Sequence, residues 1–319
     1  MGSSERRLVH VAGPGPRAAR RVNDKLWFWA LAREVAGRAS VPPTFIAFGP
    51  AAAASQVARL AEASEQVVVK VPDSAGAAGN IRIDGKRLRG MRLSRIRDIL
   101  LRRLAAVGWT GTYPVLVGVW ESGVLSSPSA QMWLPQVGEG PPRLLGIFEQ
   151  RIEAGEGHFV GATRAHFDRD VETAIAEEAT RIGAVLQRLG YYGACSLDAV
   201  LRLAKSGRRE LHWIECNGRW GGVSIPLAAG REILGGTDPK GIVIVQDILP
   251  ASTAMDIETI SNLLSDLLFR RGVTQDGIVI LSPPQSTNGV LLNAMALSHS
   301  QARAGELMSL AHKRLGRGP

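Results

Sequence analysis

A mixed α/β or α+β fold, with strands and amphipathic helices alternating along the chain, is what this 319-residue sequence predicts. Three observations carry that expectation. Short β-branched runs such as QVVVKV (66–71) and YPVLVGVW (113–120) recur between stretches with apolar residues at helical spacing. Residues 195–217 read CSLDAVLRLAKSGRRELHWIECN, two alternating strands about a Ser206-Gly207 turn. An apolar fraction of 45% with 21% charged residues suits a globular chain with a sizeable core.

Along the chain, residues 1–21 are rich in Gly, Pro and Arg and are expected to be loosely ordered. A helix then runs from Asn23 or Asp24 as N-cap to Gly37 as its stop. Pro42-Pro43 open a strand at 44–48, followed by an Ala-rich helix at 51–63 and the strand 66–71. A Gly/Ala loop spans 72–80, with a strand and turn after it, a helix at 94–106 and the strand 113–120. The polar segment 121–128 reads as a connection and a lobe boundary. Strand-like pieces at 129–134 and 143–151 come next. A helix beginning at Asp168 or Asp170 presents Val171, Ile175, Ile182, Val185, Leu186 and Leu189 on one face and closes at Gly190. After the hairpin, NGRWGGVSIP (217–226) and a less regular stretch lead to a helix at 257–269, strands at 277–282 and 289–296, and a last helix at 298–314. The implied organisation is a flexible or truncated N-terminal segment (1–22), an N-terminal lobe (23–120), a C-terminal lobe (121–230) and an α+β extension (231–319).

Several function classes are disfavoured. No apolar run is long enough for a membrane span, and the N-terminus lacks the apolar core of a signal peptide. The two cysteines, Cys195 and Cys216, have neither metal-ligand spacing nor a disulfide framework, so a reducing, cytoplasmic setting is expected. The net charge of +9 invites a nucleic-acid reading. The arginines, however, are scattered, and an aromatic content of 5% is poor for stacking bases. Those between 89 and 103 read as the solvated face of a helix packed through Ile96, Ile99, Leu100 and Leu104. A positive field also suits small anionic substrates.

The hairpin carries the densest chemistry. A two-residue Ser206-Gly207 loop sets Asp198 opposite Glu215 and Val200 opposite Trp213, with Asn217 on the Glu215 face and His212 alternating away from it. Two carboxylates and an amide converging in this way suit a hard cation such as Mg2+. Upstream, Lys70 stands in a strand of valines directly before a loop containing Ser74, Gly76, Gly79 and Asn80. A strand lysine beside backbone N–H groups freed by glycine is what a triphosphate requires. Arg219, two residues past Asn217, is placed to hold a phosphate or carboxylate through two parallel hydrogen bonds. No Walker A, G-x-G-x-x-G, H-E-x-x-H or G-x-S-x-G motif occurs.

In this order, strand lysine, glycine loop, polar hinge, helix and acidic hairpin, the chain resembles the ATP-grasp superfamily. The residues that carry the resemblance are Val69-Lys70, Gly76-Ala77-Ala78-Gly79, Val119-Trp120-Glu121, Asp198 and Glu215-Cys216-Asn217-Gly218-Arg219. Val22-Asn23-Asp24-Lys25, Ser127-Pro128-Ser129, Glu149-Gln150 and Asn217 to Gly222 are similar to the pheganomycin-synthetase type of peptide ligases. The likeness covers about residues 22–230. It implies two α+β lobes with ATP between them, adenine against the backbone at Trp120-Glu121 and phosphates under the 74–79 loop. It further implies one or two Mg2+ on Asp198, Glu215 and Asn217. It implies too that an amino-acid-like substrate carboxylate attacks the γ-phosphate to give an acylphosphate, from which an amine (of an amino acid or peptide) displaces phosphate to form an amide, with Lys70 and Arg219 stabilising developing charge. Transfer to a carrier thiol and a non-catalytic nucleotide-binding role are the alternative readings, and a homodimer is compatible with either.

Overall fold

The computed structural model describes residues 13–74, 79–153, 158–249, 255–286 and 290–316. In chain order the elements are α1 (Pro16–Asn23), α2 (Lys25–Val35), β1 (Thr44–Ala47), α3 (Pro50–Ala63), β2 (Gln66–Lys70), β3 (Asn80–Asp84), α4 (Leu93–Ala106) and β4 (Val115–Val119). There follow β5 (Val124–Ser126), β6 (Pro128–Leu134), β7 (Arg143–Ile152), β8 (Phe159–Arg164), α5 (Arg169–Arg188), β9 (Gly193–Leu203) and β10 (Arg209–Asn217). The chain ends with α6 (Ser224–Ile233), β11 (Gly241–Leu249), α7 (Ile257–Leu263), β12 (Gly277–Ser286), β13 (Val290–Ser298) and α8 (Gln301–Arg314). The mixed α+β class is as expected. No helix among the described residues is long and apolar enough to cross a membrane.

The chain divides into two compact units, one built from residues up to Leu145 together with Asp168–Arg219, the other from Gly146–Phe167 and the residues from Trp220 onward. In the first unit a four-stranded antiparallel sheet runs β1-β4-β2-β3. Its valines Val67, Val69, Val115 and Val117 pack with Val57 and Leu60 of α3 and Ile96, Leu100 and Leu104 of α4. That burial is what keeps α4 in place, because its other side is lined by exposed arginines. A second set of strands in the same unit runs β10-β9-β6, and the short β5 also pairs with β9. In the second unit the order is β7-β8-β11-β13-β12. Its core gathers Val243 and Val245 of β11, Ile260 and Leu264 of the α7 region, Ala294 and Ala296 of β13, and Leu307 and Met308 of α8.

Several local expectations change. Pro16 starts a helix within the segment read as loosely ordered, since proline suits a first helical turn. The connection 121–128 contains β5, with Val124 opposite Arg202. The runs 159–164 and 241–249 are strands, and 224–233 is a helix. The helix expected over 257–269 stops at Leu263. Beyond it Ile278 N donates to Leu267 O at 2.7 Å and Phe269 N to Ile278 O at 2.8 Å, so the chain leaves the helix to hydrogen-bond with β12.

Candidate active site

The hairpin places Asp198 opposite Glu215, but along a different route from a simple two-residue turn. Lys205, Ser206 and Gly207 form the loop: Ala204 N donates to Arg208 O and Gly207 N to Ala204 O, both at 2.9 Å, with Gly207 at φ 80°. This offsets the outer ladder by one residue, pairing His212 with Val200 and Trp213 with Ala199. A bulge between Trp213 and Glu215 then restores the Asp198–Glu215 and Ser196–Asn217 pairs. Two shifts of one residue cancel at the acids. They do not cancel further out, so Val200 faces His212 and not Trp213, and His212 shares the acidic face. Its Nδ1 lies 2.5 Å from Glu121 Oε1.

Asp198 is the centre of a dense cluster. Ser129, opposite it on β6, donates to Oδ1 at 2.6 Å, and Gln131 Nε2 donates to Ser129 Oγ at 2.8 Å. Asn217 Nδ2 donates to Asp198 Oδ2 at 2.7 Å and to Glu215 Oε1 at 3.3 Å. Burial, then repulsion from Glu215, pushes the Asp198 carboxyl up to about 7, although the hydrogen bonds from Ser129, Ser196 and Asn217 pull the other way. Two carboxylates held this close need a proton or a cation between them. Among the described residues no group of three or more His, Cys, Asp and Glu is arranged to hold a metal. The donor set fits a hard ion that draws its remaining oxygens from phosphate and water, with Asn217 turned to offer its amide oxygen.

Two lysines approach these acids. Lys70, the last residue of β2, pairs with Asn80 of β3 and Leu116 of β4. Burial lowers its pKa; Glu215 raises it and Lys25 lowers it further. Lys25, not singled out as a site residue by the sequence, is 3% exposed, with Nζ 3.8 Å from Glu215 Oε2. It donates to Ser74 Oγ at 3.0 Å and also to the Ser74 carbonyl. Burial lowers its pKa too, and Arg219 adds to that effect against the pull of Glu215. Its signal was available: Lys25, Phe28 and Ala32 form the buried stripe of α2, and a lysine on such a stripe needs a reason.

The glycine loop is pinched at its neck. Ser74 Oγ donates to Val71 O at 2.7 Å, and Val71 N donates to Gly79 O at 2.9 Å. A Cβ on Gly79 would lie 2.0 Å from Ser74 Oγ, so only glycine fits. Gly76 lies outside the described residues. Asp24 caps α2 by accepting from Trp27 N at 2.9 Å, which leaves the Asn23 side chain for the other end of the site. Asn23 Oδ1 accepts from Gly218 N at 3.1 Å and from Arg219 Nη1 at 2.8 Å. Arg219 is thereby brought near enough to Lys25 for their charges to oppose each other. Trp120 and Glu121 sit at the end of β4. Trp120 N donates to Gln66 O at 3.1 Å, and the Arg82 guanidinium lies over the Trp120 ring at 5.4 Å. The Glu121 carboxylate, 6% exposed, is held by His212 and by Arg202 Nε at 3.1 Å. Lys70, Ser74, Gly79, Asp198, Glu215, Asn217 and Arg219 thus lie in one unit with Lys25, whereas the Glu121 side chain is committed to its own ion network.

No family model matches the sequence, and no curated protein does. Solved structures do. The biotin carboxylase domain of 2-oxoglutarate carboxylase from Hydrogenobacter thermophilus, in complex with MgADP, ADP and bicarbonate, superposes with a TM-score of 0.65 at 12% identity, covering 97% of this chain and 69% of that one. N5-carboxyaminoimidazole ribonucleotide synthetase from Thermus thermophilus gives 0.63 at 14% identity, over 96% of this chain and 76% of its own. Phosphoribosylamine–glycine ligase from Thermotoga maritima gives 0.58 at 16%, over 98% and 81%. At these identities the likeness establishes architecture, and the chain has the ATP-grasp fold.

Proposed function

We propose that this chain is an ATP-dependent carboxylate–amine ligase that forms an amide and releases ADP and phosphate. The observation that carries the reading is the meeting of Lys25, Lys70 and Arg219 with Asp198, Glu215 and Asn217. Both lysines are desolvated, with Lys25 opposing the charge of Lys70 and Arg219 opposing that of Lys25, which is costly unless an anion of high charge completes the site. A triphosphate does so. The names of the similar structures support the same chemistry, since they include a ligase, a synthetase and an MgADP complex.

In this reading Lys25 and Lys70 take the phosphates, Ser74 and the 74–79 loop close over them, and Arg219, steadied by Asn23, holds a reacting anion. The backbone at Trp120-Glu121 receives the adenine, with Glu121 fixed by His212 and Arg202. Asp198, Glu215 and Asn217 hold Mg2+, which would neutralise phosphate charge. The functional lobes are 23–120 and 121–230, with 231–319 as an extension. The likeness to pheganomycin-synthetase-type ligases supports an amino-acid-like acid, a peptide or amino-acid amine and a role in peptide natural-product assembly. Two buried free cysteines suit a cytoplasmic setting, and the dimeric state named for one similar structure supports a homodimer.

The test uses MgATP, hydroxylamine as the amine and a panel of amino acids and N-acetylated amino acids as acids. ADP, phosphate and a hydroxamate are the expected products, and Glu215→Gln should lower their formation by roughly a hundredfold or more. AMP and pyrophosphate as products would overturn the reading.

A further inference from the structure

In the second unit, Arg164 closes β8 opposite Phe148 of β7. Its guanidinium lies over the Phe148 ring at 5.3 Å. Against its other side stands Gly146, where an added Cβ would come within 2.7 Å of Nη1. The group is therefore fixed in place by packing on both sides. Yet Nε and Nη2 are shut off from solvent and have no hydrogen-bond partner among the described residues. These two atoms form one edge of the guanidinium, the edge that donates two parallel hydrogen bonds to a single planar acceptor. Burial holds Arg164 below the usual arginine range, and Asp238 is the one charge found to pull it back. Asp238 is already paired to Arg231 Nε at 2.9 Å. An arginine stays charged at any working pH, and leaving its donors unmet is expensive.

We propose that Arg164 anchors a carboxylate-binding site, its Nε–Nη2 edge receiving both oxygens of one carboxylate from a ligand. A planar monoanion fits better than phosphate: only one pair of Arg164 donors is on offer, the Arg231 guanidinium is already paired with Asp238, and the Asp238 charge that acts on Arg164 opposes a dianion. A carboxylate gripped by both oxygens is recognised and not activated. It is thus the carboxylate of the amine-bearing substrate, an amino acid or peptide, an assignment that rests on the ligase reading. The binding itself does not.

The experiment needs neither ATP nor turnover, so it can fail independently of that reading. The 319-residue protein, labelled with 15N-arginine, is titrated with sodium acetate, glycine, glycinamide, phosphate and, at matched ionic strength, sodium chloride. One Nε–H resonance, absent in Arg164→Lys, should move saturably with acetate and glycine but not with chloride or glycinamide. Gly146→Ala, which keeps the arginine but crowds Nη1, should weaken the acetate response at least about fivefold. This second variant carries the test if Arg164→Lys does not fold. No saturable movement, or a tighter response to phosphate than to acetate, would overturn the proposal.

Discussion

Burial and the Glu215 carboxylate hold Asp198 at about 7, so between its ordinary value near 4 and that value the folded chain keeps a proton the unfolded chain has lost. Stability from this group is then present at low pH and is lost as pH rises through about 7. In EDTA the urea midpoint should fall by the equivalent of a few kcal/mol between pH 4 and 8, and Asp198→Asn should flatten that slope. Parallel pH profiles for the two proteins would remove the electrostatic account of this residue. Mg2+ affinity carries the opposite sign: it should weaken below about pH 7, where binding must expel the proton. Lys25 ties folding to function. Its ammonium is paired with Glu215 and donates to Ser74, so removing it leaves Glu215 beside Asp198 without that cation. Lys25→Met is therefore expected to melt below the parent in EDTA while its KM for ATP rises at least about tenfold. A lower melting temperature with unchanged KM would make Lys25 a structural residue.

At the scale of elements, the acidic hairpin shows what sequence patterning can and cannot read. Alternation gives the Asp198–Glu215 pair, but the loop at Lys205–Gly207 and the bulge at Ile214 each shift the register by one, and only their cancellation keeps the acids opposed. His212 reveals the difference, because it lies beyond the bulge. β8 escapes strand propensity for a tertiary reason. Gly161 interrupts it because a Cβ there would sit 2.3 Å from Ile244 O on β11, a contact no local pattern encodes. α1 is too short to be stable alone. Its buried Val22 lies against Gly218, where an added Cβ would approach Val22 Cγ2 to 2.2 Å. Gly218 is thus the point at which β10 admits the α1–α2 corner that supplies Asn23 and Lys25. Gly218→Ala should destabilise by about 1–3 kcal/mol in urea and break the Asn23–Arg219 contact. Full stability in that variant would mean the corner docks through other contacts.

Across the whole molecule, the ATP-grasp fold is combined with a net charge of +9, which bears on the proposed handling of a nucleotide. Much of that excess lies away from the candidate site. Arg92, which precedes α4, and Arg95 and Arg102 within it are exposed, while Ile96, Leu100 and Leu104 on the helix's other side fill the core. Such charges act on a nucleotide only through the long-range field, which at 0.15 M salt is screened over about 8 Å. Two consequences separate that field from local contacts. Raising NaCl from 20 to 500 mM should increase the KM for ATP roughly three- to tenfold with kcat unchanged, because encounter is slowed and the bound state is not altered. Replacing all three arginines by glutamine removes three positive charges, and should reduce this salt dependence while changing stability by less than about 0.5 kcal/mol. A collapse of kcat in the triple variant would contradict a purely solvated face, and would identify α4 as a surface that the reaction itself engages.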